Sequence, residues 1–513
     1  MAPASPKKKT ASGGADLVIV ANRLPVRRAA VEAKTRWVTS PGGLVAALKP
    51  AMADFAGIAW LGWTGEQDKR TPAQFDHDGR RLIPVRLSEE ERELHYEGMA
   101  NGTLWPLYHD KIQPAEFHRH WYEGFRRVNE RFAEAAAKAA AKGAMVWIHD
   151  YQLQLVPGML RAIRPDLRIG YFLHIPFPSP ELFCQLPWRS AITAGTLGAD
   201  VVGFQSPDDA GNFHRLASSL GEATRTSKSG LDVDGRPVQV KSFPIGIDYE
   251  RYDQAARDHQ VIDEARDLRA QLGQPQIVML GVDRLDYTKG IDVRLRAFKE
   301  LLADGRLHPS QVSMIQIAEP SRDQVGAYVS LREQVERLVG EINGDYGRVG
   351  YPVVHYIHRT RSFTELLAMY RAADVMLVTP FRDGMNLVAK EYVAARHDES
   401  GVLVLSEFAG AAHQLKSSVL VNPYDIDGMK SAIVQAVEMS PEDARKRMRA
   451  MRRSVAKNDA AAWAKGFLGQ LAAVNSSRIK GGTAFPRCGI LWIAPSASWR
   501  PTAVSNRTNS PSR

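Results

Sequence analysis

Arg284 and Lys289 share the stretch Val282-Asp-Arg-Leu-Asp-Tyr-Thr-Lys-Gly290, which directly follows the apolar run Ile277–Val282. Such a run reads as a buried strand, so both cations are presented from the loop at its carboxyl end, where open α/β sheets bind ligands. A guanidinium forks two donors onto a phosphate and an ammonium adds a compact charge. The pair can therefore neutralise a diphosphate leaving group without a metal. A second stretch, Thr379-Pro-Phe-Arg-Asp-Gly-Met-Asn-Leu-Val-Ala-Lys-Glu-Tyr392, supplies what the first lacks. Its strand, Val375–Thr379, runs through a glycine-containing loop into a helix expected from near Leu387, whose unpaired N–H groups would face the same anion. Glu391, on the first turns of that helix, can accept hydrogen bonds from a ribose diol. Either stretch alone has a bland reading, Arg284 and Asp286 as a surface ion pair for example. The ordered pair, each after its own strand, specifies a sugar-nucleotide site far better.

The elements that must position these residues alternate in period. Apolar runs at Leu17–Ala21, Ile58–Gly62, Met145–Ile148, Ile169–Leu173 and Val201–Phe204 are separated by helical patterns such as Pro114–Lys142, with its alanine-rich end. A second series follows at Ile277–Val282, Val312–Ile317, Val353–Ile357, Val375–Thr379, Val402–Leu405 and Val419–Val421. Two doubly wound α/β halves are predicted, with Phe243-Pro-Ile-Gly-Ile-Asp248 as the hinge. The expected organisation is a disordered basic tail (1–14), an N-terminal domain (15–245), a C-terminal domain (246–455), a helix packing back on the N-terminal domain (456–480) and a disordered extension (481–513). Leu231-Asp-Val-Asp-Gly-Arg236 imitates a phosphatase Asp-x-Asp nucleophile, but the residues before it are Thr226-Ser-Lys-Ser-Gly230 rather than a buried strand. Asp234-Gly235 reads instead as a hairpin turn.

The chain has 513 residues, 44% of them hydrophobic, and a formal charge of +10. Nine of those charges are Lys7, Lys8, Lys9, Arg478, Lys480, Arg487, Arg500, Arg507 and Arg513, in tails without acids, so the body is almost neutral. A nucleic-acid partner would need a concentrated basic face, so none is expected. Two cysteines, Cys184 and Cys488, form neither a metal-ligand cluster nor a disulfide framework. Without a signal-peptide pattern or an apolar run of membrane-spanning length, a soluble cytoplasmic protein with no membrane partner is expected.

Read together, the segments resemble trehalose-6-phosphate synthases, the retaining glycosyltransferases of family 20, whose two facing Rossmann-like domains have the GT-B arrangement. The resemblance covers roughly residues 16–475. It is carried, besides the two opening stretches, by Ala21-Asn-Arg-Leu-Pro25, Ser40-Pro-Gly-Gly-Leu44, Leu104-Trp-Pro106, Trp147-Ile-His-Asp-Tyr151, Phe172-Leu-His-Ile-Pro-Phe-Pro178 and Glu319-Pro-Ser-Arg322. It implies transfer of glucose from a nucleoside diphosphate glucose (UDP, ADP or GDP) to glucose 6-phosphate, with no metal or other cofactor. Arg23 and Arg322 would grip the acceptor phosphate, with Tyr96 and Asp150 completing that pocket. Gly42 and Gly43 would let the backbone approach the donor. Asp383 with Gly384, Met385, Asn386, Leu387 and Val388 would hold the donor glucose and phosphates, while Arg284, Lys289 and Glu391 hold the diphosphate and ribose. His174 would contact the donor sugar near the reacting carbon, a position near Arg361 would touch the nucleotide, and Trp105 and Ile175 would select the α anomer. His174, Asp150, Arg284, Lys289 and Asp383 are thereby the implied catalytic set. No carboxylate nucleophile is implied, unlike a retaining glycosidase. A homo-oligomer, with a tetramer among the expected forms, follows from family habit alone. The readings weighed against this one are a related GT-B enzyme with another acceptor and an inactive sugar-phosphate sensor.

Overall fold

The computed structural model describes residues 14–31, 34–39, 48, 55, 57–66, 72–111, 115–321 and 326–474. Gly42, Gly43, Arg322 and the two tails, Gly14 apart, lie outside the described residues. The first sheet is built from β1 (Ala15–Arg23), β4 (Ile58–Trp63), β5 (Phe75–His77), β6 (Arg80–Pro84), β7 (Ala140–His149), β8 (Arg168–Phe172), β9 (Val201–Phe204), β10 (Thr224–Arg225), β11 (Gly230–Val233) and β12 (Arg236–Ser242). A small antiparallel ribbon, β2 (Val26–Val31) with β3 (Lys34–Thr39), lies apart from it. The order in the first sheet is β10-β11-β12-β9-β8-β7-β1-β4-β6-β5. It is parallel from β12 to β6 and antiparallel at both margins.

The second sheet, β13 (Ile277–Arg284), β14 (Val312–Glu319), β15 (Val354–Ile357), β16 (Val375–Val378), β17 (Val402–Ser406) and β18 (Val419–Val421), has the order β15-β14-β13-β16-β17-β18 and is wholly parallel. Its strands read as unbroken apolar runs because helices cover both faces of such a sheet.

Three local outcomes bear on the sequence reading. The long helix of the first half, α1 (Arg119–Ala139), stops short of the expected Lys142, because Ala140 already pairs with Ala15 and opens β7. Helix propensity of the alanines is overridden there by the sheet. Asp234 (φ 52°) and Gly235 (φ 82°) make the tight turn between antiparallel β11 and β12, so no phosphatase nucleophile is formed. The third concerns α4 (Ala460–Ala472), which packs on the first sheet, Phe467 stacking on Trp147 at 4.6 Å and Trp463 lying edge-on to Phe172 at 5.2 Å. Gly170 and Gly203 make this docking possible, since a Cβ at either would come within 2.6–2.8 Å of the Phe467 ring.

The linker Phe243–Asp248 has no regular structure, and it is fixed at Ile245. The Ile245 N–H donates to Gln205 Oε1 (3.0 Å), and its carbonyl accepts from the buried Lys390 Nζ (2.6 Å).

The first half buries three histidines completely: His95, His109 and His149. Burial disfavours their charged forms, moving His95 down to about 3, His109 to about 4 and His149 well below its ordinary value. The unfolded chain binds these protons below about pH 6.5 while the folded chain does not. Stability should therefore be flat above that pH and fall below it, by about 1.4 kcal/mol per pH unit per histidine. Denaturant titrations are expected to lose about 3 kcal/mol between pH 6.5 and 5.5, and an unchanged midpoint across that interval would contradict the burial of these rings.

Candidate active site

β13 delivers Arg284, exposed, at its carboxyl end, in register with Glu319 of β14. Asp286 is not the surface ion-pair partner of the bland reading. It is buried and accepts from Thr288 N (3.0 Å), Thr288 Oγ1 (2.8 Å) and Tyr328 Oη (3.2 Å), closing the turn Tyr287–Lys289. Gly290 follows in the left-handed region (φ 63°), with Thr379 O 2.5 Å from where a Cβ would stand. Beneath the turn, α2 (Ile291–Ala303) buries Arg294. Its guanidinium meets Asp283 Oδ2 (2.7 Å), Gln316 Oε1 (2.9 Å), Thr379 Oγ1 (3.0 Å) and Lys289 O (3.4 Å). A buried cation satisfied on every side makes a rigid base for the loop. Lys289 emerges from it to place Nζ 2.5 Å from Asp383 Oδ2.

Asp383 belongs to the loop between β16 and α3 (Leu387–Ala395). Burial works to raise its carboxyl, but the Lys289 ammonium, joined by the Asn386 amide, offsets that and holds it below the usual range. Asn386, left-handed at φ 66°, donates Nδ2 to Asp383 Oδ2 (3.1 Å), while its Oδ1 accepts from Ala389 N (3.2 Å) and caps α3. The N–H groups of Leu387 and Val388 consequently keep no acceptor within the helix. Met385, its side chain buried, accepts at its carbonyl from Ala411 N (2.9 Å). Glu391 lies further along α3, and Tyr370 Oη donates to its Oε2 (3.0 Å). Burial raises this carboxyl. Arg361 pairs with Glu365 at 2.9 Å, and its backbone N–H bonds the Glu319 carboxylate, bringing it to the rim that carries Arg284.

From the first sheet, Asp150 directly follows β7 with φ 76° and ψ 169°, a region left almost entirely to glycine and costing about 1–3 kcal/mol. Its N–H donates to Phe172 O (2.8 Å), and its Oδ1 accepts from His174 N (3.1 Å). His174 is partly exposed, and its Nε2 lies 3.1 Å from Nδ1 of His149. Burial moves His174 down to about 3, so the ring is neutral near pH 7. Trp105 and Ile175 are buried, with Trp105 tilted on His109 at 4.1 Å.

Contacts between the two halves draw these groups together. The Arg284 guanidinium lies 5.5 Å over the Trp105 ring. Gly384 packs so tightly that an added Cβ would collide with His174 O and come within 3.0 Å of Ile175 Cα. Next to it, Arg382 pairs with Asp110 and donates to Phe177 O (3.1 Å). Arg23 ends β1 at the same carboxyl edge, stacked 4.1 Å over Trp63 and 5.6 Å from the Tyr96 ring centre. Among the described residues no acid pairs with Arg23. Of the predicted residues, Arg284, Lys289, Asp383, Gly384, Asn386, His174, Asp150, Trp105 and Ile175 gather where the two halves meet, Met385, Leu387, Val388 and Glu391 carry the Asp383 loop into α3, Arg361 stands at the rim, and Arg23 and Tyr96 form a corner of their own.

Trp63, His109, His149 and Arg382 were missed by sequence reasoning. His149 and Arg382 lie inside quoted motifs, whereas Trp63 at the end of an apolar strand gave no signal beyond core. Among the described residues no cluster of three or more His, Cys, Asp or Glu is placed to hold a metal, and no helix is long and apolar enough to cross a membrane. The tight fit at residue 384 predicts that Gly384→Ala cuts turnover by at least ten-fold while the melting temperature drops only a few degrees, the overpacking cost being about 1–3 kcal/mol. Wild-type rates in that variant would show that the two loops need not touch.

Two Rossmann-like halves meeting over a cation-lined cleft define a GT-B type glycosyltransferase. The chain matches glycosyltransferase family 20 over residues 15–473 and belongs to that family. It is 54% identical to the trehalose-6-phosphate synthase of Mycolicibacterium vanbaalenii, over 92% of this chain and 99% of that protein. The Mycolicibacterium smegmatis protein of the same name is 52% identical, over 93% and 96%. Among solved structures, one from E. coli bound with UDP-2-fluoro glucose superposes with a TM-score of 0.83 at 34% identity, covering 90% of this chain and 99% of that one. The UDP-forming α,α-trehalose-phosphate synthase of Burkholderia xenovorans in complex with glucose-6-phosphate gives 0.82 at 33%, covering 89% and 99%.

Proposed function

We propose that the protein transfers glucose from a nucleoside diphosphate glucose to glucose 6-phosphate with retention of the anomeric configuration, releasing NDP and trehalose 6-phosphate. The observation that carries this reading is the Lys289–Asp383 pair (2.5 Å) in a loop pressed against His174 and Ile175 of the other half. The relatives' names, a UDP-sugar analogue in one solved neighbour and glucose-6-phosphate in another support it.

In this reading residues 15–245 form the acceptor domain and 246–455 the nucleotide-sugar domain, with α4 of the 456–480 segment docked back on the former. Arg284, Lys289 and the Leu387–Val388 amides neutralise the departing diphosphate, Glu391 holds the ribose, and the backbone near Arg361 touches the base. Asp383 and His174 fix the glucose. Its engagement by Lys289 and Asn386 suits Asp383 to holding the sugar rather than attacking it. Arg23, together with Tyr96, Asp150 and Arg322, pins the acceptor phosphate, while Gly42 and Gly43 admit the donor. Trp105 and Ile175 shape the pocket for the α anomer. The acceptor hydroxyl attacks from the face the diphosphate leaves, and a departing phosphate oxygen takes its proton. Rate enhancement then comes from positioning and charge stabilisation, without a metal. Retention in this family has been approached with bisubstrate glycomimetics of trehalose-6-phosphate synthase. A cytoplasmic homo-oligomer completes the proposal.

UDP-, ADP- and GDP-glucose, each offered with glucose, glucose 6-phosphate or glycogen in the presence of EDTA, test it. A phosphorylated non-reducing disaccharide is expected from glucose 6-phosphate alone. Product from glycogen or free glucose, or none from any donor, would overturn the reading.

A further inference from the structure

His149 lies behind His174, fully buried, on the last residue of β7. Its Nδ1 is 3.1 Å from His174 Nε2, and its own Nε2 is buried with no hydrogen-bond partner. Around the pair are mostly rings, Trp147 at 4.7 Å from His149 and Phe172 and Trp463 at 4.7 and 6.1 Å from His174, while the neighbouring Asp150 carboxylate is engaged by the His174 backbone N–H. Burial keeps both imidazoles neutral, so one hydrogen and one lone pair meet across that contact.

The orphaned nitrogen decides which way the proton points. Were His174 to donate from Nε2, His149 would accept at Nδ1 and carry its hydrogen on Nε2, leaving a buried N–H with no acceptor. Orphaned buried N–H groups are rarer in folded proteins than under-satisfied acceptors. With the hydrogen on Nδ1 of His149, only a lone pair is left unpaired there. His174 then accepts at Nε2 and must carry its own hydrogen on Nδ1. No described residue bonds that atom, and His174 is partly exposed beside the Asp383 loop. Asp150 fixes the backbone by accepting from His174 N, so ring and main chain are both held.

We propose that His149 is a positioning residue that locks His174 in the Nδ1–H tautomer, making His174 a hydrogen-bond donor to an oxygen of the donor sugar. This deepens the proposed function and rests on its placement of His174 at the donor glucose. The ring discriminates by this means: it rewards a sugar oxygen that accepts and gives nothing to a group that only donates. A partner that sets the tautomer of a functional histidine typically contributes roughly 10–100-fold.

The first test needs no substrate. Long-range proton–nitrogen spectra of the full chain, with His174 assigned by its loss in His174→Gln, should show Nδ1 protonated and Nε2 bare. A protonated Nε2 would overturn the proposal even if the enzyme makes the expected product, whereas a correct tautomer without turnover on any donor would indict the functional reading instead. The second test is kinetic. His149→Leu removes the donor and is expected to lower kcat by roughly 10–100-fold while leaving affinity for the free nucleoside diphosphate unchanged. His149→Asn, whose amide N–H can stand where Nδ1–H stood, should recover most of that loss. Equal damage in both variants at equal melting temperature would mean that His149 only fills space.

Discussion

Lys289→Ala should lower kcat/KM for the nucleotide sugar by roughly 100- to 1,000-fold, the size of effect seen when one preorganised donor to a developing anion is lost. Two consequences of the geometry add in this variant. In the proposed reaction the departing diphosphate loses a nearly buried ammonium, and Asp383 loses the partner that lies 2.5 Å away and helps keep its carboxyl low. An unpaired carboxylate in that position takes up a proton more readily, so the residual activity of the variant should rise with pH over a range where the wild type is flat. Asp383→Asn in the same background should cost little more, because the two side chains act as one unit and their losses do not add. Steady-state kinetics on the two single variants and the double variant check this. Additive losses would mean that lysine and aspartate serve separate steps.

Arg23→Ala is expected to raise KM for glucose 6-phosphate by roughly 100-fold, the equivalent of about 3 kcal/mol for charge-assisted bonds to a phosphate, with KM for the donor unchanged. The separation follows from position. Arg23 ends β1, stacked on Trp63 and Tyr96, whereas Arg284 and Lys289 leave the second sheet. Trp63→Ala should produce a weaker version of the same phenotype, about two- to five-fold, since an exposed cation–π contact contributes about 0.5–1 kcal/mol. Unchanged acceptor kinetics in Arg23→Ala would remove the arginine from the acceptor site, and a raised donor KM would move it to the other pocket.

The two-sheet architecture was legible because buried parallel strands are unbroken apolar runs, and each predicted run from Leu17 to Val421 coincides with an observed strand. The two motif-bearing loops were legible for a related reason. Each motif follows its strand directly, so sheet topology alone carries Arg284, Lys289 and Asp383 to one edge. What spacing cannot encode is which loop residue turns inward. Asp286 looks like a surface acid in sequence and is a buried turn cap in the structure. Arg382 drew no reading from its place in the motif, yet it joins the two halves through Asp110. Trp63 and His149 belong to strand ends that would be apolar core in most sheets, and only the third dimension sets one under a guanidinium and the other against His174. The backbone strain at Asp150 has no sequence signature. Nor does the point at which an alanine-rich helix becomes β7, since pairing with Ala15 decides it. The roles assigned to Gly42, Gly43 and Arg322 rest on the family resemblance.

The most direct measurement is a diffraction structure of the full-length protein soaked with a nucleoside diphosphate and glucose 6-phosphate together. The diphosphate should lie within hydrogen-bonding distance of Arg284, Lys289 and the amides that open α3, with the sugar phosphate on Arg23 and no metal between them. A diphosphate bound elsewhere, or held through a cation with Arg284 and Lys289 turned away, would contradict the account.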